Sequence, residues 1–90
     1  MRRTAAVDGE AEVLAEVRRI FADELGRKET VGMDDELARD LQLDSVQLLT
    51  LVVGLENRFR IALAEEDAGE IRTVADLVRL VCRRRDGGAS

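Results

Sequence analysis

The chain has 90 residues, enough for one small domain near the lower limit at which a single core holds without staples. Charged residues make up 37% and hydrophobic ones 46%, with no Pro, Trp, Tyr or His and a lone Cys, so an internal disulfide, a multi-cysteine zinc site and His-based catalysis are excluded. A net charge of −5 argues against nucleic acid as a partner, and no stretch resembles a membrane span or a secretory signal, so the cytoplasm is the expected compartment.

Residues 1–8 are polar and without period and are expected to be a flexible tail, ahead of one domain over 9–85 and a second flexible tail over 86–90. From Gly9 the pattern changes. Val13, Leu14, Val17, Ile20, Phe21 and Leu25 recur at helical spacing, with charged residues between them, which predicts an amphipathic helix capped by Gly26. Residues 27–43 are too long for a turn and too interrupted for a helix. They read as an ordered strap anchored by Val31, Met33, Leu37 and Leu41, with a short helical turn over 34–37.

At Asp44 the strap gives way to a second helix over 45–59. Asp44 is a good N-cap, and Gln47 three residues on completes the capping-box pattern. This places Ser45 in the first helical turn, where backbone N–H groups lack intrahelical partners and the helix dipole is positive, so a phosphate on its hydroxyl would sit in a favourable field. The helix is apolar almost all round. Leu49, Leu51, Val52, Leu55 and Phe59 make the best inward face, leaving Val46, Leu48 and Val53 outward for a partner or ligand. Gly54 costs roughly 1 kcal/mol in a helix interior relative to Ala, which predicts close packing there.

Ile61 and Leu63 form a short apolar link, and residues 64–71 read as a brief acidic helix plugged by Ile71. Thr73 and Asp76 form a second capping box, opening a last helix with the stripe Val74, Leu77, Val78 and Val81. Arg83, Arg84 and Arg85 are placed to complement the C-terminal end of its dipole. Cys82 reads as a buried structural residue near that end, or as the source of an intermolecular disulfide. The whole pattern predicts an all-α fold: a small four-helix bundle, three helices long and one short, with a long ordered loop after the first.

The helix order, the strap and the run Asp40-Leu41-Gln42-Leu43-Asp44-Ser45-Val46 together resemble the acyl and peptidyl carrier protein family, whose signature is commonly D-L-G-x-D-S-L. Glu56-Asn57-Arg58-Phe59-Arg60-Ile61 is similar to the family's exit from its second helix, and Ile71-Arg72-Thr73-Val74 to the entry of its last. The match spans residues 13–81. The resemblance implies a monomeric carrier without catalysis of its own, with 4′-phosphopantetheine attached covalently to Ser45 by a phosphopantetheinyl transferase and Asp44 assisting that modification. It also implies cargo held as a thioester on the arm, loaded by an acyl ligase or adenylation enzyme and handed to a ketosynthase, acyltransferase or tailoring enzyme.

Two departures lie in the signature itself: Gln42 stands where the family usually has Gly, and Val46 where it most often has Leu. A third lies in the second helix. The carriers of bacterial fatty-acid synthesis have a strongly acidic second helix, whereas here Gln47, Thr50, Asn57 and Arg58 leave Glu56 as its one acidic residue. Docking is therefore expected through Val46, Leu48 and Val53 with Glu56 beside them, with weak salt dependence. The expected setting is a dedicated polyketide, nonribosomal peptide or other secondary-metabolite pathway. The alternative is a small helical adaptor without a prosthetic group, its Ser45 incidental or a kinase site. An enzyme built on Asp34, Asp35 and Asp44 is disfavoured by the lack of His and by a chain too short for a deep cleft.

Overall fold

The computed structural model describes residues 5–64, 67 and 69–89, with side chains described over 9–64, 67 and 69–85. Within these it contains three long helices: α1 (Ala5–Asp23), α2 (Ser45–Phe59) and α3 (Val74–Ala89). The apolar stripe of α1 faces inward as its spacing requires, with Val13, Val17, Ile20 and Phe21 essentially inaccessible and Leu14 and Leu25 partly covered. On α3, Val74, Leu77, Val78 and Val81 are all fully buried. Helix α1 packs against both α2 and α3, and α2 contributes Leu51 and Leu55 to the shared core.

The strap is ordered, and the reason is explicit in its backbone. Val31, Leu37 and Leu41 are buried anchors and Met33 is partly buried. The carbonyls of Asp35 and Met33 accept from the N–H groups of Val74 and Ala75, both at 2.9 Å, and Leu37 N–H donates to Arg72 O at 2.9 Å. Two donors that the first turn of α3 leaves without helical partners are thus satisfied by the strap. Glu36 and Thr73 form an isolated antiparallel bridge, and no strand occurs among the described residues. The expected helical turn over 34–37 is replaced by this bridge and its flanking turns.

Gly26 ends α1 at φ 66°, and Arg27 N–H reaches back to Phe21 O at 2.8 Å, so the predicted cap is present. The second capping box is also formed. Asp76 N–H donates to Thr73 Oγ1 at 3.1 Å, and Asp76 Oδ2 accepts from the N–H groups of Thr73 and Arg72 at 3.0 Å each. These backbone donors, Thr73 first, hold the Asp76 carboxyl below its ordinary pKa.

Several expectations need correction. Helical backbone begins at Ala5, not Gly9, as nothing in Ala5-Ala6-Val7-Asp8 breaks a helix once its interior is formed, and at the other end it continues past Arg85 to Ala89. Arg83 to Arg85 therefore do not cap a helix end. Arg84 instead pairs with Asp67, while Arg85 pairs with Glu12 at 3.1 Å and lies 4.9 Å from the centre of the Phe59 ring. These contacts tie α3 to the rest of the bundle. Cys82 is half-buried and packs against the core. The expected acidic helix over 64–71 falls partly on residues 65, 66 and 68, outside the described residues. Ala64 N–H donates to Asp67 Oδ2 at 3.0 Å on the part that is described.

The inward face of α2 also differs from expectation. Leu49 is 62% exposed and Leu48 is partly buried against the core, the reverse of the predicted roles. A helix apolar all round carries no internal mark of its inner side, so tertiary contact sets its rotation. One such contact is at Gly54, where a Cβ would lie 2.8 Å from Ile20 Cδ1. The predicted close packing at Gly54 is present, against Ile20 of α1.

Candidate functional site

The site is the junction between strap and α2. Leu41 is buried and its N–H donates to Glu36 O at 3.0 Å, while Leu43 N–H donates to Leu37 O at 3.0 Å. Between them Gln42 adopts φ 54°, a left-handed conformation that glycine adopts without strain and other residues do not. The sharp turn this makes delivers Asp44 to the N-cap in extended conformation, φ −83° and ψ 177°. Asp44 Oδ1 accepts from Gln47 N–H at 2.7 Å, and Gln47 Oε1 accepts from Asp44 N–H at 3.3 Å, completing the capping box read from the sequence.

Ser45 is the first residue of α2 and is exposed. The hydroxyl stands at the positive end of the helix dipole with no acidic residue in the first helical turn, so the helix start favours an attached phosphate, against the one neighbouring carboxylate, that of the N-cap Asp44. Asp44 is exposed, adjacent, and committed through one oxygen to the cap.

Beside Ser45 lies a cleft of about 310 Å³ between α2 and the segment that follows it, lined by Ser45, Leu48, Leu49, Val52, Glu56, Leu63, Ala64 and Ile71. Its lining is predominantly apolar. Glu56, expected to face a partner, donates its position to this cleft: its Oε2 accepts from Leu63 N–H at 2.8 Å and so fixes the chain leaving α2. Sequence reading missed this role, since a carboxylate serving a backbone donor seven residues on leaves no periodic signal.

On the outer face, Val46 is 72%, Leu49 62% and Val53 41% exposed, three residues at one-turn and two-turn spacing that form a continuous apolar stripe starting next to Ser45. Two of the expected outward residues, Val46 and Val53, belong to it. Leu48 lies in the cleft instead, and Leu49 takes its place. The stripe runs into a larger open groove of about 530 Å³ between α1 and α2, rimmed by Glu16, Arg19, Glu24 and Arg58. Those charges satisfy one another: Glu16 is buried and bonded to Arg19 at 2.6 Å, with Arg58 at 3.7 Å. The bond to Glu16 raises the Arg19 pKa above its ordinary value.

Among the described residues, no group of three or more His, Cys, Asp or Glu side chains could hold a metal ion, and no helix is long and apolar enough to cross a membrane. The arrangement offers an accessible nucleophilic hydroxyl in an anion-favouring position, flanked by an apolar cleft and an apolar outer stripe.

Residues 15–81 match the family model described as the phosphopantetheine attachment site. The chain is 35% identical to the acyl carrier protein of Chlamydia trachomatis serovar D over 72 residues, covering 79% of this chain and 94% of that relative. It is 32% identical to the acyl carrier protein of an Arthrobacter species over 71 residues, covering 78% of this chain and 88% of the relative. Among solved structures, the acyl carrier protein of Thermotoga maritima superposes with a TM-score of 0.79 at 25% identity, covering 88% of this chain and 93% of that one.

Proposed function

This chain belongs to the acyl carrier protein family, whose phosphopantetheine-attachment domain carries 4′-phosphopantetheine on a serine, and we propose that Ser45 is that serine. The observation that carries the reading is its placement: an exposed hydroxyl on the first residue of α2, held there by the Asp44–Gln47 capping box. The arm would supply a flexible tether ending in a thiol on which cargo travels as a thioester. The chain's own part is to fix the attachment point, to favour the phosphodiester's negative charge at the helix start, and to present surfaces that partner enzymes read. The domain is a carrier and not an enzyme.

The finer reading concerns partners. Asp44 assists the modification at the transferase interface. Enzymes that load and process the cargo dock on the exposed stripe of α2, with Val46 and Val53 in direct contact and Leu48 and Glu56 shaping the cleft edge. That stripe is apolar and its neighbouring charges are mutually paired, which supports recognition by burial of apolar surface; Glu56 as the one acidic residue of α2 supports a place in a dedicated secondary-metabolite pathway, with the cytoplasm as its setting. The cleft beside Ser45 favours an apolar acyl cargo over a polar one.

The test is incubation with coenzyme A and a broad-specificity phosphopantetheinyl transferase, followed by intact-protein mass spectrometry. The expected result is a gain of one phosphopantetheine that Ser45→Ala abolishes. No gain with several transferases would overturn the reading and favour an adaptor without a prosthetic group.

A further inference from the structure

Arg27 follows the Gly26 cap of α1, and nothing in the carrier reading assigns it a role. Its side chain is only 20% exposed, and its guanidinium joins four separate parts of the molecule. Nε and Nη2 donate to the two carboxylate oxygens of Glu29 at 3.1 and 2.7 Å, which fixes the plane of the fork. Carbon Cζ lies 5.6 Å from the centre of the Phe21 ring. From that fixed plane Nη2 also donates to the carbonyl of Leu41, and Nη1 donates to Gln47 Oε1 at 3.4 Å.

The last two acceptors bracket Ser45. The Leu41 carbonyl begins the turn in which Gln42 takes its left-handed conformation, and Gln47 Oε1 is the same atom that accepts from Asp44 N–H in the capping box. A non-glycine residue at positive φ holds its place only where the surroundings enforce it. Leu43 N–H to Leu37 O secures the far side of that turn, and Arg27 secures the near side from the end of α1.

We propose that Arg27 is a positioning residue for the modification of Ser45, holding the Leu41–Gln42–Leu43 turn and the Gln47 side chain so that the hydroxyl is presented in one orientation. The inference rests on Ser45 being the attachment point. In that reaction the Ser45 oxygen loses its proton to a base on the transferase and forms a new bond to phosphorus. The pyrophosphate P–O bond of coenzyme A breaks, and the bisphosphorylated adenosine half leaves. Misplacement of a reacting atom by about 1 Å costs up to about a hundredfold in rate, so a turn that wanders lowers turnover even where docking is intact. Arg27 lines neither the cleft nor the groove, and its contact on α2 is the Gln47 side chain, so its loss acts on the turn and the cap rather than on the exposed side chains of the stripe.

The experiment measures kcat and KM for phosphopantetheine transfer to the full-length chain, comparing wild type, Arg27→Ala, Arg27→Lys and the control Arg84→Ala, with folding checked by circular dichroism at the assay temperature. Arg84→Ala removes a tie of comparable kind, to Asp67, that touches neither the Gln42 turn nor the capping box. Arg27→Ala is expected to lower kcat about tenfold with KM for the carrier held within about twofold. Arg27→Lys, which keeps the charge but not the planar fork, recovers only part of the loss, and Arg84→Ala leaves kcat unchanged. If Arg27→Ala does not fold, Arg27→Gln carries the same comparison. Unchanged kcat in the Arg27 variants overturns the inference, as does full recovery by Lys or an equal loss in Arg84→Ala. Should wild type itself accept no phosphopantetheine, the Ser45 reading fails and this inference falls with it; wild-type transfer with an indifferent Arg27 sinks only the inference.

Discussion

The rotation of α2 decides which side chains meet a partner, and in that rotation Gly54 lies close against Ile20 of α1. A Cβ added at Gly54 would lie 2.8 Å from Ile20 Cδ1 and 3.4 Å from Ile20 Cγ1, and Ile20 is fully buried. Gly54→Ala gains about 1 kcal/mol of helix propensity. Against this, the buried Ile20 must move its Cδ1 to admit the methyl, and overpacking of this kind costs about 1–3 kcal/mol. The balance predicts a variant less stable by about 1 kcal/mol. Ile20→Val removes the Cδ1 atom that the new methyl would strike and alone costs about 0.5–1.5 kcal/mol. In that background Gly54→Ala fills the vacated space and keeps its propensity gain, so it should stabilise by up to about 1 kcal/mol. The cycle therefore predicts a favourable coupling of about 1–2 kcal/mol between the two positions. Urea unfolding of the four proteins measures it, with unchanged m-values confirming that the native state stays compact. Stabilisation by Gly54→Ala in the wild-type background, or additivity within about 0.5 kcal/mol, would refute the crossing as drawn.

Other consequences are open to direct measurement. Gln42→Gly should raise stability by about 0.5–1 kcal/mol, because the left-handed conformation costs a non-glycine residue about 1–2 kcal/mol and the added backbone entropy of glycine offsets part of that; thermal unfolding reads it, and no gain would mean the turn is unstrained. The Asp76 carboxyl is held below its ordinary pKa in the folded state, so its contribution is present above the unfolded value and is lost as pH falls from about 4 through the lowered folded value. Acid unfolding of Asp76→Asn should accordingly show a shallower loss over that window than wild type. Leu49→Asp should weaken docking to a cognate enzyme at least about tenfold while leaving thermal stability within about 0.5 kcal/mol, since Leu49 is largely exposed. Wild-type affinity should change by less than about threefold from low to high salt; a steep salt dependence would assign docking to charge.

Much of this molecule was legible because its signals are local. The stripes of α1 and α3 stand against charged residues, so period alone identifies their inner faces, and all four predicted α3 residues are fully buried. Both capping boxes were readable because each joins residues three apart. What was not legible depends on contact across the chain. Helix α2 has too few polar residues to mark its outer side, and its rotation is set by contacts across the chain, with Leu51, Leu55 and Gly54 turned inward, which exchanges the expected roles of Leu48 and Leu49. Arg83 to Arg85 look like a helix-end run in sequence, and only the structure reveals that Arg84 ties α3 to Asp67 and Arg85 ties it to Glu12 of α1. Glu56 and Arg27 act on backbone groups far along the chain, which composition and spacing do not encode. The positive φ of Gln42 lies at the position where the family usually has Gly, a departure that the sequence displayed without its backbone consequence.

The account stands most directly on where the arm is attached. The chain offers six aliphatic hydroxyls, on Thr4, Thr30, Ser45, Thr50, Thr73 and Ser90. Fragmentation of the peptide spanning the strap–α2 junction, after transfer from coenzyme A, should place the whole phosphopantetheine mass on Ser45 and leave the others unmodified. Modification at any other hydroxyl, or transfer that persists in Ser45→Ala, would contradict it.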